Sequence, residues 1–290
     1  MKVVNVLKQV GILAIIGIGI TSCDNDNKLE DSIFDIEPKE LNELDTWIDN
    51  EFRKPFNIRA TYKWNQAFGY YDKTLYPPNE TNVKPALSMV KKLWIDSYTD
   101  VAGEEFIKEI APRELHLIGS YNRNNDGTIV LGEAGGGARI SLFNVDYVKS
   151  DNRESITQFV HTVQHEYVHI LNQTKPYDKV AWSKISEGGL YTSSWYLSSD
   201  AESNELGFVT NYARLNYDED IAETTSIILL KTKAEWEKFL ADIKSESARQ
   251  DILKKVAIIV DYYKEQFEID FWELRDRAEF HTSEVVNGNF

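Results

Sequence analysis

One segment constrains the fold of this chain more than any other: residues 156–176, which read ITQFVHTVQHEYVHILNQTKP. Three of the five histidines recur in it at intervals of four: His161, His165 and His169. Apolar residues fill the intervening positions with the spacing of an amphipathic helix, and Pro176 ends the run. Ser155 with Gln158 matches a capping box at the helix start. The segment therefore predicts a buried helix with imidazoles along one face.

The central part of this segment, HEYVH, has the H-E-x-x-H pattern of zinc metallopeptidases. His165 and His169 lie one helical turn apart, so both rings can reach one metal ion. Glu166 is displaced by about 100° around the helix axis, which places its carboxylate beside the ion. In such sites the metal activates a water molecule and the carboxylate takes its proton. We therefore predict one Zn²⁺ per chain, with Glu166 as the catalytic base.

A catalytic zinc needs a third protein ligand, which this helix does not supply. The extended pattern H-E-x-x-H-x-x-G-x-x-H is excluded, because Asn172 and Lys175 occupy its glycine and third-histidine positions. Residues 216–230, NYDEDIAETTSIILL, predict a later helix, and Glu223 falls near its apolar side, where a charged group needs a partner. Glu223 is therefore the predicted third ligand. Glu219 and Asp220 compete with it, but a solvated role suits their place in the first turn.

Several other residues near the predicted metal are candidates for supporting roles. Asp220 can orient a histidine through its ring N–H. His161 precedes His165 by one turn, but three histidines on one helix span too far for one tetrahedral ion, which favours a role behind the ligands or in packing. A tyrosine often stabilises the oxyanion in such sites, and Tyr212 and Tyr217 are both close in sequence. For each tyrosine a packing role is an equal alternative.

The remainder of the chain indicates an α+β fold. Residues 113–145 contain short β-rich runs broken by glycines and are predicted to form a small antiparallel sheet. The C-terminal half reads as helical, and His281 falls in a polar C-terminal tail. Helical spacing is found in residues 41–52, 82–103, 218–230, 234–243 and 249–267. A net charge of −15 argues against nucleic acid as a partner.

The N-terminus has the composition of an export signal. Residues 10–20, VGILAIIGIGI, form an apolar run too short for a comfortable membrane span. ITSC follows, and its Cys23 is the only cysteine of the chain, so the stretch resembles a bacterial lipobox. We predict a lipoprotein signal peptide in residues 1–22, a flexible tether in 23–37, and a metallopeptidase domain in 38–290. Acidic residues directly after the cysteine resemble surface-export signals, and a plain solvated linker is the alternative.

HEYVHILNQ, followed by GFVTNYARLNYDEDIAE, resembles the zinc-binding metallopeptidases found as bacterial lipoproteins, also described as substrate import-associated zinc metallohydrolase lipoproteins. The resemblance covers most of the mature chain. It implies a zincin-like, gluzincin-like fold, with the third ligand drawn from Glu219–Glu223 as in the lethal-factor type. It also implies an edge strand that holds an extended substrate. ARISLF, residues 138–143, is either that edge strand or a core strand. The family implies a location beside outer-membrane nutrient importers.

These features together predict a lipid-anchored zinc metallopeptidase that hydrolyses a peptide or protein substrate. We expect it at the outer membrane, exposed at the cell surface and associated with a nutrient-import complex. One alternative is a catalytically inactive, zinc-containing accessory lipoprotein of that complex. Another is a hydrolase of a different amide, such as a peptidoglycan stem peptide. The intact Glu166 favours an enzyme, because a structural zinc site would not need it.

Overall fold

The computed structural model describes residues 40–65, 72–125, 127–135, 138–186 and 189–290. Within them, Asn42–Phe290 forms one compact unit. The predicted signal peptide, Cys23 and the tether lie outside the described residues. Among the described residues, no helix is both long and apolar enough to cross a membrane.

The described residues form a mixed α+β structure whose C-terminal half is helical. The helices are α1 (Glu43–Ile48), α2 (Lys54–Phe56), α3 (Glu80–Val90), α4 (Ser97–Ala102), α5 (Glu104–Ile110), α6 (Arg153–Thr174), α7 (Lys179–Ser183), α8 (Asp200–Asn204), α9 (Tyr217–Leu230), α10 (Lys233–Asp242), α11 (Glu246–Phe267) and α12 (Phe271–Val286). The π-helical segments Asp49–Arg53 and Lys91–Asp96 join α1 to α2 and α3 to α4. The strands are β1 (Arg59–Thr61), β2 (Glu114–Leu117), β3 (Asn122–Arg123), β4 (Ile129–Val130), β5 (Gly132–Gly135) and β6 (Arg139–Leu142).

The segment predicted to form an antiparallel sheet contains the antiparallel β3–β4 hairpin and three of the four strands of the main sheet. The antiparallel prediction is wrong for most of the main sheet. Its strand order is β1-β2-β6-β5, with β1, β2 and β6 parallel and only β5 antiparallel to β6. Helices α3 to α5 return the chain to the starting end of the sheet between β1 and β2, and this crossover produces a parallel pair. Strand β6, which contains most of ARISLF, is an internal strand with Ile140 and Leu142 fully buried. The edge strand on this side is β5.

Helix α6 is the histidine helix predicted from the sequence, and it runs through the core. Its fully buried residues include Val160, Val163 and Tyr167. Tyr167 makes edge-to-face contacts with Trp94 and Tyr98, each at a centroid distance of 5.0 Å. The predicted Ser155 cap is wrong by three residues. Asn152 caps the helix, because its side chain accepts a hydrogen bond from the Ser155 backbone N–H at 2.9 Å.

The predicted polar C-terminal tail is also wrong, since these residues form helix α12. Asp270 caps it by accepting from the backbone N–H groups of Trp272 and Glu273. His281 is buried on this helix, and its Nε2 lies 2.9 Å from Asp100 Oδ2 on α4. Most charged residues of the segment lie on the exposed face of an amphipathic helix, whereas Arg275 is buried.

A buried ion pair joins α11 to α9. Lys255 Nζ lies 2.7 Å from Asp220 Oδ2, and both side chains are at most 1% exposed. The same oxygen accepts from Tyr191 at 2.7 Å and Trp182 at 3.2 Å, while Lys255 also donates to the Gly207 carbonyl at 2.8 Å. Burial raises the pKa of Asp220 and lowers the pKa of Lys255, and the ion pair opposes both shifts. The orientation of α9 therefore depends on a fully enclosed pair.

Replacing Lys255 with Met should destabilise the protein, because Asp220 would keep a buried charge without a cation. We expect the free energy of unfolding to fall by about 3–5 kcal/mol, measured by urea denaturation. Lys254→Met is the matched control, since Lys254 is the exposed neighbour and pairs with Asp251 at the surface. Similar losses in the two variants would contradict a special role for the buried pair.

Candidate metal centre

Two helices supply the polar side chains of the site. Helix α6 aligns three histidines on one face: His161, His165 and His169. Helix α9 lies against α6 and carries Glu219 and Glu223 one turn apart. The side chain of Asn216 caps α9 by accepting from the backbone N–H groups of Asp218 and Glu219. The cap fixes the first turn of α9, and with it Glu219.

Two potential metal-binding atoms lie close to one ring nitrogen of His165, and the three atoms form a triangle. Its Nε2 lies 2.9 Å from Glu219 Oε2 and 3.1 Å from His169 Nε2, and these two partners lie 3.3 Å from each other. Ligand atoms about 2.0 Å from a tetrahedral zinc ion are separated by roughly 3.3 Å. The triangle of His165, His169 and Glu219 therefore has the size and the donor types of a zinc site.

Glu223 lies on the other side of the same ring. Its Oε1 is 2.8 Å from His165 Nδ1 and 3.1 Å from His161 Nε2, while its Oε2 accepts from the Thr210 hydroxyl at 2.6 Å. His161, His165 and Glu223 thus form a second group of potential metal donors. The structure brings Glu223 to His165, as the sequence analysis expects, but at the nitrogen that faces away from His169.

The charges of this cluster are strongly coupled. Burial alone would lower the pKa of His165, but hydrogen bonds to Glu219 and Glu223 raise it to about 10. Burial would raise the pKa of Glu219, yet hydrogen bonds from His165 and His169 lower it to about 2. The pKa of Glu223 is held well below its usual range, against the effect of burial, by His161 and His165. Both glutamates are therefore anionic ligands or acceptors at neutral pH.

Glu166 lines the cavity beside this cluster and is 9% exposed. Burial raises the pKa of its carboxyl group, and the charges of His165 and His169 offset part of that shift. The backbone of Ala134 in β5 also hydrogen-bonds to Glu166 and favours its anionic form. A buried carboxylate with a raised pKa is suited to accept and return a proton.

Strand β5 approaches α6 so closely that only glycine fits at one position. A Cβ atom on Gly132 would lie 2.1 Å from the Thr162 side chain and 3.6 Å from Glu166 Cγ. The first of these distances is a severe clash, so the glycine allows the edge of the sheet to contact the helix beside Glu166.

Of the three other residues predicted to support the site, one lines the cavity beside this cluster and two do not. Tyr212 lines the cavity, with its ring centroid 5.9 Å from that of His165. Burial, followed by the charge of Glu219, raises the pKa of its hydroxyl. Tyr217 packs edge-to-face on Tyr191 at 4.6 Å, and Asp220 is engaged in its buried ion pair.

Glu219 and Thr210 are the site residues that sequence reasoning undervalued or missed. The sequence did indicate that Glu219 could lie near the metal, because residues 219 and 223 are four apart and share one face of a helix. No comparable signal exists for Thr210, which lies outside the helices and reaches Glu223 only through the tertiary fold.

Comparisons with known proteins place the chain in a family described as zinc-binding. Residues 37–272 match the model of a family described as putative zinc-binding metallo-peptidase. Among solved structures, the chain is similar to a putative zinc-binding metallo-peptidase from Bacteroides caccae ATCC 43185, with a TM-score of 0.70 and 31% sequence identity. That match covers 88% of this chain and 97% of the other. No curated protein matches the chain. Since the family model spans most of the chain and all the donor residues, the chain belongs to the family of putative zinc-binding metallo-peptidases.

Proposed function

We propose that this protein is a zincin-like metallopeptidase that holds one zinc ion through His165, His169 and Glu219 and hydrolyses peptide bonds. The observation that carries the proposal is the triangle of Nε2, Nε2 and Oε2 atoms with edges of 2.9 to 3.3 Å. Glu166 follows the first histidine of this triangle and lines the adjoining cavity. Membership of a zinc-binding family supports the choice of metal.

The geometry favours Glu219 over Glu223 as the third ligand. A single ion at the Nε2 atoms of His165 and His169 faces Glu219, whereas Glu223 contacts His165 through Nδ1. A carboxylate at the second ring nitrogen fixes the tautomer and orientation of a metal-binding histidine. We therefore assign to Glu223 the orienting role that the sequence analysis gave to Asp220.

Each residue around the substrate has a separate role in the proposed reaction. Bound zinc would polarise the scissile carbonyl and increase the acidity of water. Glu166 takes a proton from the attacking water and returns it to the leaving amine, which its raised pKa favours. The Tyr212 hydroxyl, kept protonated by its raised pKa, donates a hydrogen bond to the developing oxyanion.

Strand β5 is the surface on which we place the substrate backbone. In the antiparallel β5–β6 pair, Phe143 N–H donates to the Leu131 carbonyl, so the residues that bond to β6 alternate along β5. Gly132 and Ala134 fall at the other positions, and their backbone groups point toward the free edge. The Ala134 N–H is taken by Glu166, which leaves both backbone groups of Gly132 and the Ala134 carbonyl for a substrate. An extended peptide can pair with this edge and present its bond to Glu166.

The cellular location is proposed from the N-terminal sequence alone. Cys23 after an apolar run supports a lipid anchor at the outer membrane, and the acidic residues that follow support exposure at the cell surface. Association with a nutrient-import complex is the context that the lipoprotein family suggests for such an anchored peptidase.

Glu219→Gln should reduce zinc affinity more than Glu223→Gln, because the first removes a ligand and the second loosens an orienting hydrogen bond. We expect Glu223→Gln to cost roughly 10- to 100-fold in affinity and Glu219→Gln to exceed that, measured by chelator competition. Asp218→Asn is the matched control, since Asp218 lies in the same turn but pairs with the exposed Lys179. The reverse order of the two glutamine variants would restore Glu223 as the ligand.

Glu166→Gln should retain zinc while peptide hydrolysis falls by roughly 10² or more, because an amide cannot act as the base. Zinc content and cleavage of an unbiased peptide library are the two measurements. If metal and activity are lost together, Glu166 is a ligand. If the zinc-loaded wild-type protein cleaves no library peptide, the accessory role replaces the enzymatic one.

Cys23→Ala should release the protein from the membrane fraction, because the acylated residue would be absent. Incorporation of a labelled fatty acid and fractionation of cells test this, with Ser22→Ala as the neighbouring control. Labelling that persists in Cys23→Ala would refute the anchor at this position.

A further inference from the structure

We propose that His161 and the cavity beside it select the substrate, and that the preferred side chain is a large aromatic one with a hydrogen-bond donor at its tip, as in tyrosine. The inference rests on the proposed peptidase function and adds a specificity-determining residue to it. It starts from a histidine that the proposed zinc triangle does not use.

The cavity that contains Glu166 extends away from the zinc triangle. Its volume is about 440 Å³. It runs from Glu166 and His165 toward the N-terminal end of α6, where His161 and Thr162 line it. A side chain that follows α6 from the scissile bond would thus reach His161, one turn before the metal ligand.

Two apolar walls enclose this space. One is formed by the end of the β3–β4 hairpin and the residues after it: Ile129, Val130 and Leu131. The other is aromatic, since Trp195 packs edge-to-face on Tyr212 at 4.8 Å and on Tyr196 at 5.9 Å. Walls of this kind favour a flat, apolar ring, which gains both burial and edge-to-face contacts.

The floor of the cavity is polar. The side chain of His161 is 22% exposed, and its Nε2 lies 3.1 Å from Glu223 Oε1. That contact is electrostatic, because Nε2 makes no hydrogen bond of good geometry with any described residue. Glu223 already accepts hydrogen bonds from His165 and Thr210, so His161 is not needed to satisfy it.

The position of Glu223 decides which hydrogen-bonding group His161 can offer. A nearby carboxylate favours the tautomer with the proton on Nε2, and this leaves Nδ1 as an acceptor for a ligand. A tyrosine hydroxyl can donate to such an acceptor, whereas phenylalanine leaves it without a partner. An acidic side chain would meet the negative charge of Glu223 and is disfavoured.

Binding to the Glu166→Gln protein loaded with zinc tests the inference without turnover. The probes are peptides that differ only in one residue, which is Tyr, Phe or Glu, and binding is measured by calorimetry. We expect the Tyr peptide to bind about 10-fold more tightly than the Phe peptide, and the Glu peptide to bind weakest. Adding His161→Leu should remove the difference between Tyr and Phe, and His161→Gln, which retains an acceptor, should restore part of it.

The aromatic wall has its own matched pair of variants. Tyr196 lines the cavity, whereas the adjacent Leu197 is 76% exposed and does not line it. Tyr196→Ser should weaken binding of both aromatic peptides, and Leu197→Ser should leave it unchanged. Equal effects of the two changes would remove the aromatic wall from the binding site.

The outcomes separate this inference from the proposed function. Equal affinities for the Tyr and Phe peptides, or a difference that survives His161→Leu, would overturn the role of His161. A wild-type enzyme that hydrolyses peptides without this preference would also overturn it while leaving the peptidase function intact. Selective binding of Tyr peptides without hydrolysis would support the pocket and refute the enzyme.

Discussion

The buried imidazole of His165 is the point on which the site depends, because it is held from both sides by carboxylates of one helix. Glu219 lies 2.9 Å from Nε2 and Glu223 lies 2.8 Å from Nδ1. Two glutamates four residues apart on α9 therefore contact the two ring nitrogens of one histidine on α6 and hold the ring in one orientation. The Lys255–Asp220 pair anchors the same stretch of α9 to α11, so the position of both carboxylates is set by packing in the core.

This arrangement gives the two ends of the histidine row different environments. Toward the C-terminal end of α6, His169 joins the group of donors that suits a cation. Toward the N-terminal end, His161 borders an apolar-walled cavity. Glu166 lies between the two regions, and β5 runs beside it with outward-facing backbone groups. If the proposed roles hold, one helix brings metal binding, proton transfer and side-chain recognition within three turns, and this single segment is therefore highly informative in the sequence.

The parts of the structure that follow from local spacing were predictable, and those that depend on distant contacts were not. The α6 helix and the relation of His165, Glu166 and His169 follow from helical periodicity. The parallel pairing of β1 with β2 depends on crossover helices, and that of β2 with β6 depends on a connection through β3, β4 and β5. The residues of a strand alone do not reveal either connection. The choice between Glu219 and Glu223 depends on the rotation of α9 against α6. That rotation is set partly by Lys255, which lies on another helix far along the chain.

The contact at Gly132 restricts where the substrate range of the proposed peptidase can change. With the position of a Cβ atom only 2.1 Å from Cγ2 of Thr162, the spacing between strand and helix leaves no room for a side chain at position 132. Substitution on that side would separate the two elements before it reshaped the cavity. The facing segment around Trp195 and Tyr196 lies outside the sheet and the long helices, and it tolerates a change of side chain more easily. For the proposed peptidase, substrate preference would therefore change through the side of the cleft that contains Trp195 and Tyr196, while the side that contains Gly132 stays constant.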